Sequence, residues 1–407
     1  MNMLFNPLTL SDGIVIKNRF YKASMDEQLA PNGHPDHQLA NLYGAWAKGG
    51  AGMLVTGHVM IDRRHRAAFD STVVEDESDF AALTRWAQAG TQNGAKLIMQ
   101  LNHPGKQIPK NLAKTPVAPS AVAITGDAAA FFNPPRALER DEIADIITRF
   151  GNAAAIAEKA GFSGVQIHAA HGYLLSQFLS PHHNRREDEW GGSLQNRMRL
   201  LLAVYQEIRR RTAKGFLVGV KLNSADFQKG GFDEDESVAV LKAVADAGAD
   251  WGEISGGNYE APVMIDGVKE STKKREAYFL DYAAKAKKAS NVPLVITGGF
   301  RSAAAMEAAL TDGSTDMVGI AKPFALIPDL PDQIARGSVK TVSLKPVKTG
   351  VAAIDRKLGS ILEMGWYMHQ MKRISQGKTV QPDYGAWRLL LNILWQNGRA
   401  GLNKERG

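Results

Sequence analysis

The sequence predicts an α/β protein, a (β/α)8 TIM barrel with an N-terminal β-hairpin lid and a C-terminal helical extension. Eight short runs are nearly continuous in apolar residues, as strands buried on both faces should be. Helical patterns alternate with these runs, which is the order of a parallel sheet with crossover helices. The even number of strands, and the absence of a glycine-rich turn after the first, favour the barrel over a doubly wound open sheet. The predicted strands are 19–25, 53–59, 96–102, 164–170, 216–223, 251–257, 293–299 and 316–323.

Turn and periodicity signals predict the remaining elements in chain order. Ser11-Asp12-Gly13 separates two short apolar runs and predicts a hairpin that plugs the barrel bottom. The clearest helix is 141–160, where apolar residues recur every three or four positions behind Asp141 as N-cap. Further helices are predicted near 78–93, 194–211, 235–247, 276–289, 302–311 and 326–336.

The composition excludes several classes of protein. Of the 407 residues, 44% are hydrophobic and 22% are charged, which is typical of a globular protein. Cysteine is absent, which excludes disulfides, thiolate metal sites, cysteine-ligated iron–sulfur clusters and thiol nucleophiles. No apolar run approaches the roughly 18 residues of a membrane span, and residues 1–10 lack a secretory signal pattern. We therefore expect a soluble, cytoplasmic protein.

The net charge of +7 is concentrated near the end of the chain. Residues 340–407 contain 12 basic and 4 acidic side chains, whereas residues 1–339 contain 37 basic and 38 acidic ones. A nucleic-acid enzyme is expected to carry its positive field around the active cleft. The nearly neutral body therefore argues against nucleic acid as a partner.

Small residues follow the last two predicted strands, where barrel enzymes often bind phosphate. The seventh strand leads into Thr297-Gly298-Gly299-Phe300-Arg301, and the eighth into Gly319-Ile320-Ala321-Lys322-Pro323. Small side chains leave backbone N–H groups open to an anion, and Lys322 adds a charge. These loops predict a phosphate site; the alternative is a pair of tight turns without a ligand.

Polar side chains also stand at or near the ends of the middle strands, where barrel chemistry takes place. His168, His171 and Tyr173 close the fourth strand, Gln100 lies in the third and Lys221 in the fifth. A metal site is weakly indicated, because no Asp, Glu or Cys is spaced with the two histidines. Buried Lys and Gln side chains need hydrogen-bond partners. A polar ring system with donors and acceptors along one edge would satisfy both.

Together these motifs resemble the old yellow enzyme family, the NADH:flavin oxidoreductases that bind FMN in a barrel. The resemblance covers about residues 3–337, and no metal is implied. Its most specific stretch runs from His168 to Arg197. The matching motifs are Lys17-Asn18-Arg19, Gln100-Leu101 with His103 and Gly105, His168-Ala169-Ala170-His171-Gly172-Tyr173-Leu174, Phe178-Leu179-Ser180-Pro181, Asn184-Arg185-Arg186, Trp190-Gly191-Gly192-Ser193 and Asn196-Arg197.

The resemblance implies a role for each matching residue. NADH or NADPH would reduce FMN and leave, and an activated alkene would then receive hydride from flavin N5. His168 and His171 would bond the carbonyl or nitro oxygen of that alkene, and Tyr173 would donate the proton. Lys221 would stabilise the reduced flavin near N1 and O2, and Gln100 would bond the pyrimidine. The other implied contacts are Ala23, Ser24, Met25, Asp26 and Gly57 beside the flavin ring, and Gly298, Gly299, Ala321 and Lys322 at the phosphate.

The chain departs from the family pattern at several of these positions. Asp26 stands where relatives usually have Thr, Ser or Cys beside the flavin C4 carbonyl, so we expect an altered, lowered flavin potential. Gln28 replaces a Tyr that some relatives place in the substrate pocket. Lys221 stands where Arg is frequent, and Ala321-Lys322 stands where Gly-Arg is common, which predicts a weaker grip on phosphate.

Three other functions fit the same residues. The first is a non-redox lyase or isomerase that binds a phosphorylated substrate, with Lys221 as a Schiff-base candidate. The second is an FMN-dependent enzyme that reduces nitro groups, oxidises or demethylates, because the fold does not determine the reaction. The third is a barrel that binds FMN without turnover, an alternative that Asp26 raises.

The sequence divides into a barrel, 1–340, and a basic helical extension, 341–407. Two helical patterns follow a linker at 342–348. The first presents Ile354, Leu358, Ile361, Gly365 and Met368; the second presents Trp387, Leu390, Leu391, Leu394 and Trp395. The extension fits a cap on its own barrel, an exchanged contact in a homo-oligomer, or an amphipathic anchor at a membrane surface.

Overall fold

The predicted barrel is confirmed by the computed structural model, which describes residues 3–257, 260 and 279–393. Eight parallel strands pair in a closed ring, and pairing of Val318 with Phe20 joins the last strand to the first. The first barrel strand is shorter than predicted, so that Ala23 and the residues after it lie beyond the strand. In chain order the strands are β1 (Leu8–Thr9), β2 (Val15–Ile16), β3 (Phe20–Lys22), β4 (Met53–Met60), β5 (Lys96–Asn102), β6 (Val117–Ala118), β7 (Arg136–Ala137), β8 (Gly164–Ala169), β9 (Leu217–Asn223), β10 (Trp251–Ser255), β11 (Leu294–Thr297) and β12 (Met317–Ile320).

The predicted hairpin is also confirmed. β1 and β2 pair antiparallel, and β6 and β7 form a separate pair within a loop. Leu10 and Ile16 of the hairpin share a buried cluster with Met53, Trp251 and Met317, which lie at the amino ends of barrel strands. The hairpin therefore covers the end of the barrel opposite to the carboxyl ends of the strands.

Most predicted helices are present between the strands. The predicted helix at 194–211 is divided at Met198, and the predicted segment 276–278 lies outside the described residues. The helices are α1 (His37–Lys48), α2 (Phe80–Gly90), α3 (Arg140–Ala160), α4 (Leu174–Leu179), α5 (Leu194–Arg197), α6 (Arg199–Arg211), α7 (Glu234–Asp246), α8 (Leu280–Ala289), α9 (Ala303–Thr311), α10 (Lys322–Leu326), α11 (Leu330–Ala335) and α12 (Ala352–Ser375). Short 3-10 helices occupy Met3–Phe5, Ser11–Gly13, Pro31–Gly33, Gln92–Gly94 and Gly126–Phe131.

Two further details of the helices differ from the sequence prediction. Asp141 is not the N-cap of α3: it lies in the first turn, and Glu139 precedes the helix with its N–H donating to Glu142 Oε2 at 2.9 Å. Helix α1 was not predicted, although Asp36 caps it by accepting from the Gln38 N–H. The buried face of α1 includes Trp46, which lies against the outside of the barrel.

The described part of the extension packs against the barrel. Helix α12 contacts α1 and α10, and buries Leu362, Trp366 and Met371. The predicted apolar face is displaced, because Ile361 is 37% exposed whereas Leu362 is fully buried. In the next helical stretch, 386–393, Trp387 and Leu391 are exposed and Leu389 is buried instead; Leu394 and Trp395 lie outside the described residues. Among the described residues, no helix is long and apolar enough to cross a membrane.

Candidate active site

A chain of buried polar side chains crosses the interior of the barrel near the carboxyl ends of its strands. Ser24 Oγ donates to Gln100 Oε1 at 2.9 Å, and Gln100 Nε2 donates to Gln166 Oε1 at 2.7 Å. Gln166 Nε2 in turn donates to Glu253 Oε2 at 2.8 Å. Lys221 lies 2.9 Å from Glu253 Oε1 and is 4% exposed. The structure thus links the predicted ring-binding residues Ser24, Gln100 and Lys221 into one network.

His168, His171 and Tyr173 lie together above this network, as the sequence predicts. The ring centroid of His168 is 5.1 Å from that of His171 and 5.0 Å from that of Tyr173. His168 Nδ1 accepts from the Ala170 N–H at 3.3 Å, so that Nε2 carries the proton of the neutral ring. His171 Nε2 lies 2.8 Å from Ser255 Oγ, and the backbone N–H of His171 donates to Asn223 Oδ1.

The backbone at His171 is in the left-handed region, with φ of +60°, and Gly172 follows with φ of +74°. A positive φ costs about 1–3 kcal/mol for a residue with a side chain and persists where the surroundings enforce it. Gln177 is one such constraint, because its Nε2 donates to the Gly172 carbonyl at 2.7 Å and to the Pro104 carbonyl at 3.3 Å. The conformation places the side chain of His171 toward His168.

Burial keeps both histidines uncharged. It holds the pKa of His168 well below the ordinary 6.5, and neighbouring His171 and Lys221 lower that pKa further. Burial likewise lowers the pKa of His171, with Lys221 and His58 acting in the same direction. The two side chains are therefore hydrogen-bonding groups without a formal charge at neutral pH.

A third histidine, His58 at the end of β4, belongs to the same cluster and was not predicted. Its ring lies edge-on to Tyr173 with 5.3 Å between centroids. Asn102 Nδ2 lies 3.3 Å from His58 Nδ1, which leaves the proton on Nε2. His58 is 8% exposed, and burial lowers its pKa while Asp26 opposes that shift. Sequence reasoning missed His58 because it is a single polar residue within the apolar run of β4.

Asp26, Met25 and Gly57 lie along the neighbouring edge of the site. Asp26 Oδ2 accepts from Gln28 Nε2 at 2.9 Å, so two of the residues that depart from the family pattern contact each other. Met25 is partly buried against the main core. A Cβ at Gly57 would lie 1.9 Å from Glu27 Oε2. The space beside Gly57 is therefore filled by Glu27, whose Oε1 accepts from the Gly57 N–H at 2.8 Å.

The predicted phosphate residues come together at the ends of β11 and β12. Gly298 and Gly299 have φ of +129° and +95°. Among the described residues, no backbone carbonyl accepts from the N–H of Gly298, Gly299 or Ala321. Lys322 begins α10 and is 2.9 Å from Glu363 Oε1 of α12, a contact between distant segments that sequence reasoning did not predict.

These groups fit FMN. Gln100 and Lys221 offer polar atoms to the edge of a flavin ring, and Ser24 supports Gln100. The N–H groups of Gly298, Gly299 and Ala321, together with the Lys322 ammonium, suit a phosphate dianion. The three imidazoles and Tyr173 lie beside the same region and are suited to bind the oxygen of a substrate.

Known proteins show the same combination of sequence and fold. A model of the NADH:flavin oxidoreductase / NADH oxidase family matches residues 3–340. An NADH-dependent flavin oxidoreductase of Hypocrea jecorina is 40% identical over 359 residues, which cover 81% of this chain and 88% of that protein. An NADH:fumarate oxidoreductase of Klebsiella pneumoniae is 31% identical over 82% of this chain, a match that spans 36% of the longer protein. The structure of an old yellow enzyme homologue from Zymomonas mobilis has a TM-score of 0.71 and 26% identity, over 84% of this chain and 94% of the other.

Proposed function

Because the chain belongs to the NADH:flavin oxidoreductase / NADH oxidase family, we propose that it is an ene-reductase that uses FMN and NADH to reduce activated C=C bonds. The observation that carries the proposal is the cluster of two uncharged imidazoles, His168 and His171, with Tyr173 against them. FMN is the flavin of this family and NADH its named reductant. The old yellow enzyme resemblance is confirmed by the family match and by the fold.

Bound FMN would supply the hydride chemistry, taking hydride from NADH and giving it to the β-carbon of the alkene. Gln100 and Lys221 would hold the polar edge of the ring. Gly298, Gly299, Ala321 and Lys322 would hold the phosphate. These assignments are supported by where the structure places the side chains, at the carboxyl ends of the strands.

His168 and His171 would bind the electron-withdrawing oxygen of the substrate. Negative charge develops on that oxygen as hydride arrives at the β-carbon, so donors aimed at it stabilise the transition state. One such donor in a water-excluded site is worth about 3–4 kcal/mol. Uncharged imidazoles can polarise the oxygen without protonating it, which leaves the acid step to another group.

Tyr173 is the proposed acid for the α-carbon. It is 7% exposed and its ring packs edge-on against both His58 and His168, which limits the positions its hydroxyl can take. Proton donation by a positioned side chain contributes about 10²–10⁴-fold. In this proposal the Tyr173 phenol protonates the α-carbon, and the two imidazoles polarise the substrate oxygen.

Lys221 is poorly suited to the lyase or isomerase alternative. An amine must be neutral to attack a carbonyl, whereas the Lys221 ammonium is 2.9 Å from a fully buried carboxylate, Glu253. A nitro oxygen would fit the histidine donors as well as a carbonyl oxygen does. Reduction of the nitro group itself therefore stays an alternative reaction, which the same residues would serve.

The substrate we propose is a small activated alkene in the cytoplasm. The fumarate oxidoreductase relative acts, by its name, on an alkene conjugated to carboxyl groups. We also propose that the barrel, 1–340, carries the chemistry and that the extension, 341–407, caps it. The end of the family match at residue 340 and the packing of α12 on α1 support this division.

Isotope transfer tests the proposed reaction. NADH carrying deuterium at the transferred position is supplied to the FMN-loaded protein with cyclohexenone under anaerobic conditions. We expect cyclohexanone with deuterium at the β-carbon and solvent hydrogen at the α-carbon. Consumption of NADH with no reduction of cyclohexenone or of a panel of conjugated acids and nitroalkenes would contradict the proposal.

A further inference from the structure

A buried carboxylate that the proposed mechanism does not use lies beneath the ring-binding residues. Glu253, in β10, is fully buried. It accepts hydrogen bonds from Tyr21 at 2.9 Å, from Gln166 at 2.8 Å and from Thr297 at 2.8 Å. The Lys221 ammonium lies 2.9 Å from its Oε1. Four donors from four different strands therefore surround one carboxylate at the centre of the barrel.

Glu253 is held in its charged form. Burial opposes ionisation, but the nearby Lys221 and hydrogen bonds from Lys221, Gln166 and Thr297 outweigh it, so the pKa of Glu253 lies below its ordinary value. Breaking a buried ion pair by removing one partner costs far more than an exposed pair contributes, because it leaves a charge uncompensated. The pair is thus an obligate unit of the barrel interior.

The same carboxylate determines the direction of the amide chain that ends at Ser24. A carboxylate only accepts, so Gln166 must present its NH₂ group to Glu253 and its oxygen to Gln100. Gln100 must then direct its NH₂ group to Gln166 and its oxygen to Ser24. Glu253 therefore determines the orientation of Gln100 through Gln166, and the position of Lys221 directly.

We propose that Glu253 is a positioning residue that balances the charge of Lys221 and so lowers the reduction potential of the bound flavin. The inference rests on the proposed function, because it requires FMN beside Lys221. An unbalanced Lys221 would favour the anionic reduced cofactor strongly. Paired at 2.9 Å, the opposite charges cancel at longer range and leave Lys221 mainly a hydrogen-bond donor.

The test is the midpoint potential of FMN in Glu253→Gln. The amide removes the negative charge and keeps the shape, and the hydrogen-bond chain can adapt because the Tyr21 hydroxyl can turn and the two glutamine amides can flip together. We expect the equilibrium constant for reduction to rise at least tenfold, which is about 30 mV for a two-electron couple. Asp250→Asn is the matched control, because Asp250 is a buried carboxylate paired with Arg209 just before the same strand. The midpoint potential of FMN in Asp250→Asn should equal that in the wild type.

A double-variant cycle separates positioning from simple support of the fold. Lys221→Met leaves Glu253 without a counter-charge, and burial then favours its protonated form. The midpoint potential of FMN in the double variant Lys221→Met/Glu253→Gln should therefore equal that in Lys221→Met alone. Because the double variant has no buried charge at this pair, it remains measurable where a single variant fails to fold. In Glu253→Asp, which keeps the charge, the equilibrium constant for flavin reduction should stay within twofold of the wild-type value.

Two results would overturn the inference. One is FMN-loaded Glu253→Gln with the potential of the wild type. The other is the same rise in potential whether residue 221 is Lys or Met. A wild-type protein that shows no flavin absorption after incubation with FMN would instead remove the proposed function, and the inference with it, before any potential is measured.

Discussion

His58 Nε2 lies 3.7 Å from Asp26 Oδ1, at the edge of the cluster formed by His168, His171 and Tyr173. His58 is 8% exposed, whereas Asp26 is 23% exposed. The pair joins β4 to the segment after β3. It places a carboxylate at the edge of the site, at a position where the family resemblance implies a hydroxyl or thiol.

Replacing that carboxylate should raise the flavin potential. Asp26→Thr exchanges an acceptor of hydrogen bonds for a donor and removes a charge that repels added electrons. We expect a higher midpoint potential in a dye-equilibration titration and faster reduction by NADH. Asp36→Asn, at the half-buried N-cap of α1, serves as the control. An unchanged potential in Asp26→Thr would refute the role given to Asp26.

Loss of one histidine donor should slow alkene reduction much more than it slows reduction of the flavin. For His168→Ala we expect the rate of alkene-driven flavin reoxidation to fall about 10²–10³-fold, because one donor to the developing charge is lost. Stopped-flow absorbance separates the two half-reactions. His37→Ala removes a side chain that is 75% exposed and should change neither. An equal loss in both half-reactions would assign His168 to cofactor binding instead.

Removing the Tyr173 hydroxyl should impair protonation and leave binding intact. In Tyr173→Phe we expect alkene turnover to fall about 10²–10⁴-fold with little change in the dissociation constant of a carbonyl ligand. Nitroalkenes, whose nitronate product is stable without carbon protonation, should lose less activity. Tyr205→Phe, on α6 and paired with Arg209, is the control. A variant with wild-type turnover would exclude Tyr173 as the acid.

The free energy of unfolding should decrease as the pH falls below 6.5. Burial holds the pKa of His168 and His171 well below that value in the folded protein, so the unfolded chain binds protons that the folded chain does not. Stability then rises with pH across this range, by up to about 1.4 kcal/mol per pH unit for each histidine. Urea unfolding between pH 5 and 7 measures the slope. His168→Asn should make it shallower, and an identical slope would contradict the assignment.

Removing the charge of Glu363 should tighten FMN binding. Glu363 lies 2.9 Å from Lys322 and would also face the cofactor phosphate. For Glu363→Gln we expect the dissociation constant of FMN to decrease about two- to fivefold, the size typical of a partly exposed charge. Glu77→Gln, which breaks the exposed contact with Lys159, should have no effect. Weaker binding in Glu363→Gln would show that Glu363 orients Lys322 toward the phosphate.

The strand ends could be predicted from sequence because buried parallel strands leave a continuous apolar signal, and barrel chemistry follows their carboxyl ends. This reasoning led to the prediction of His168, His171, Gln100 and Lys221 as site residues. His58 and Glu253 were missed because each is a single polar residue inside a strand, and its inward direction depends on register. The contact of Lys322 with Glu363 joins residues 41 positions apart and depends on how α12 packs, which no local pattern reports.

The absorption spectrum of the purified protein under anaerobic conditions tests the central claim most directly. After incubation with FMN and removal of the excess, we expect a bound flavin band that bleaches with NADH. The band should return when cyclohexenone or another activated alkene is added, and remain bleached without it. A bound flavin that NADH cannot bleach, or a bleached flavin that no activated alkene restores, would contradict the proposed ene-reductase.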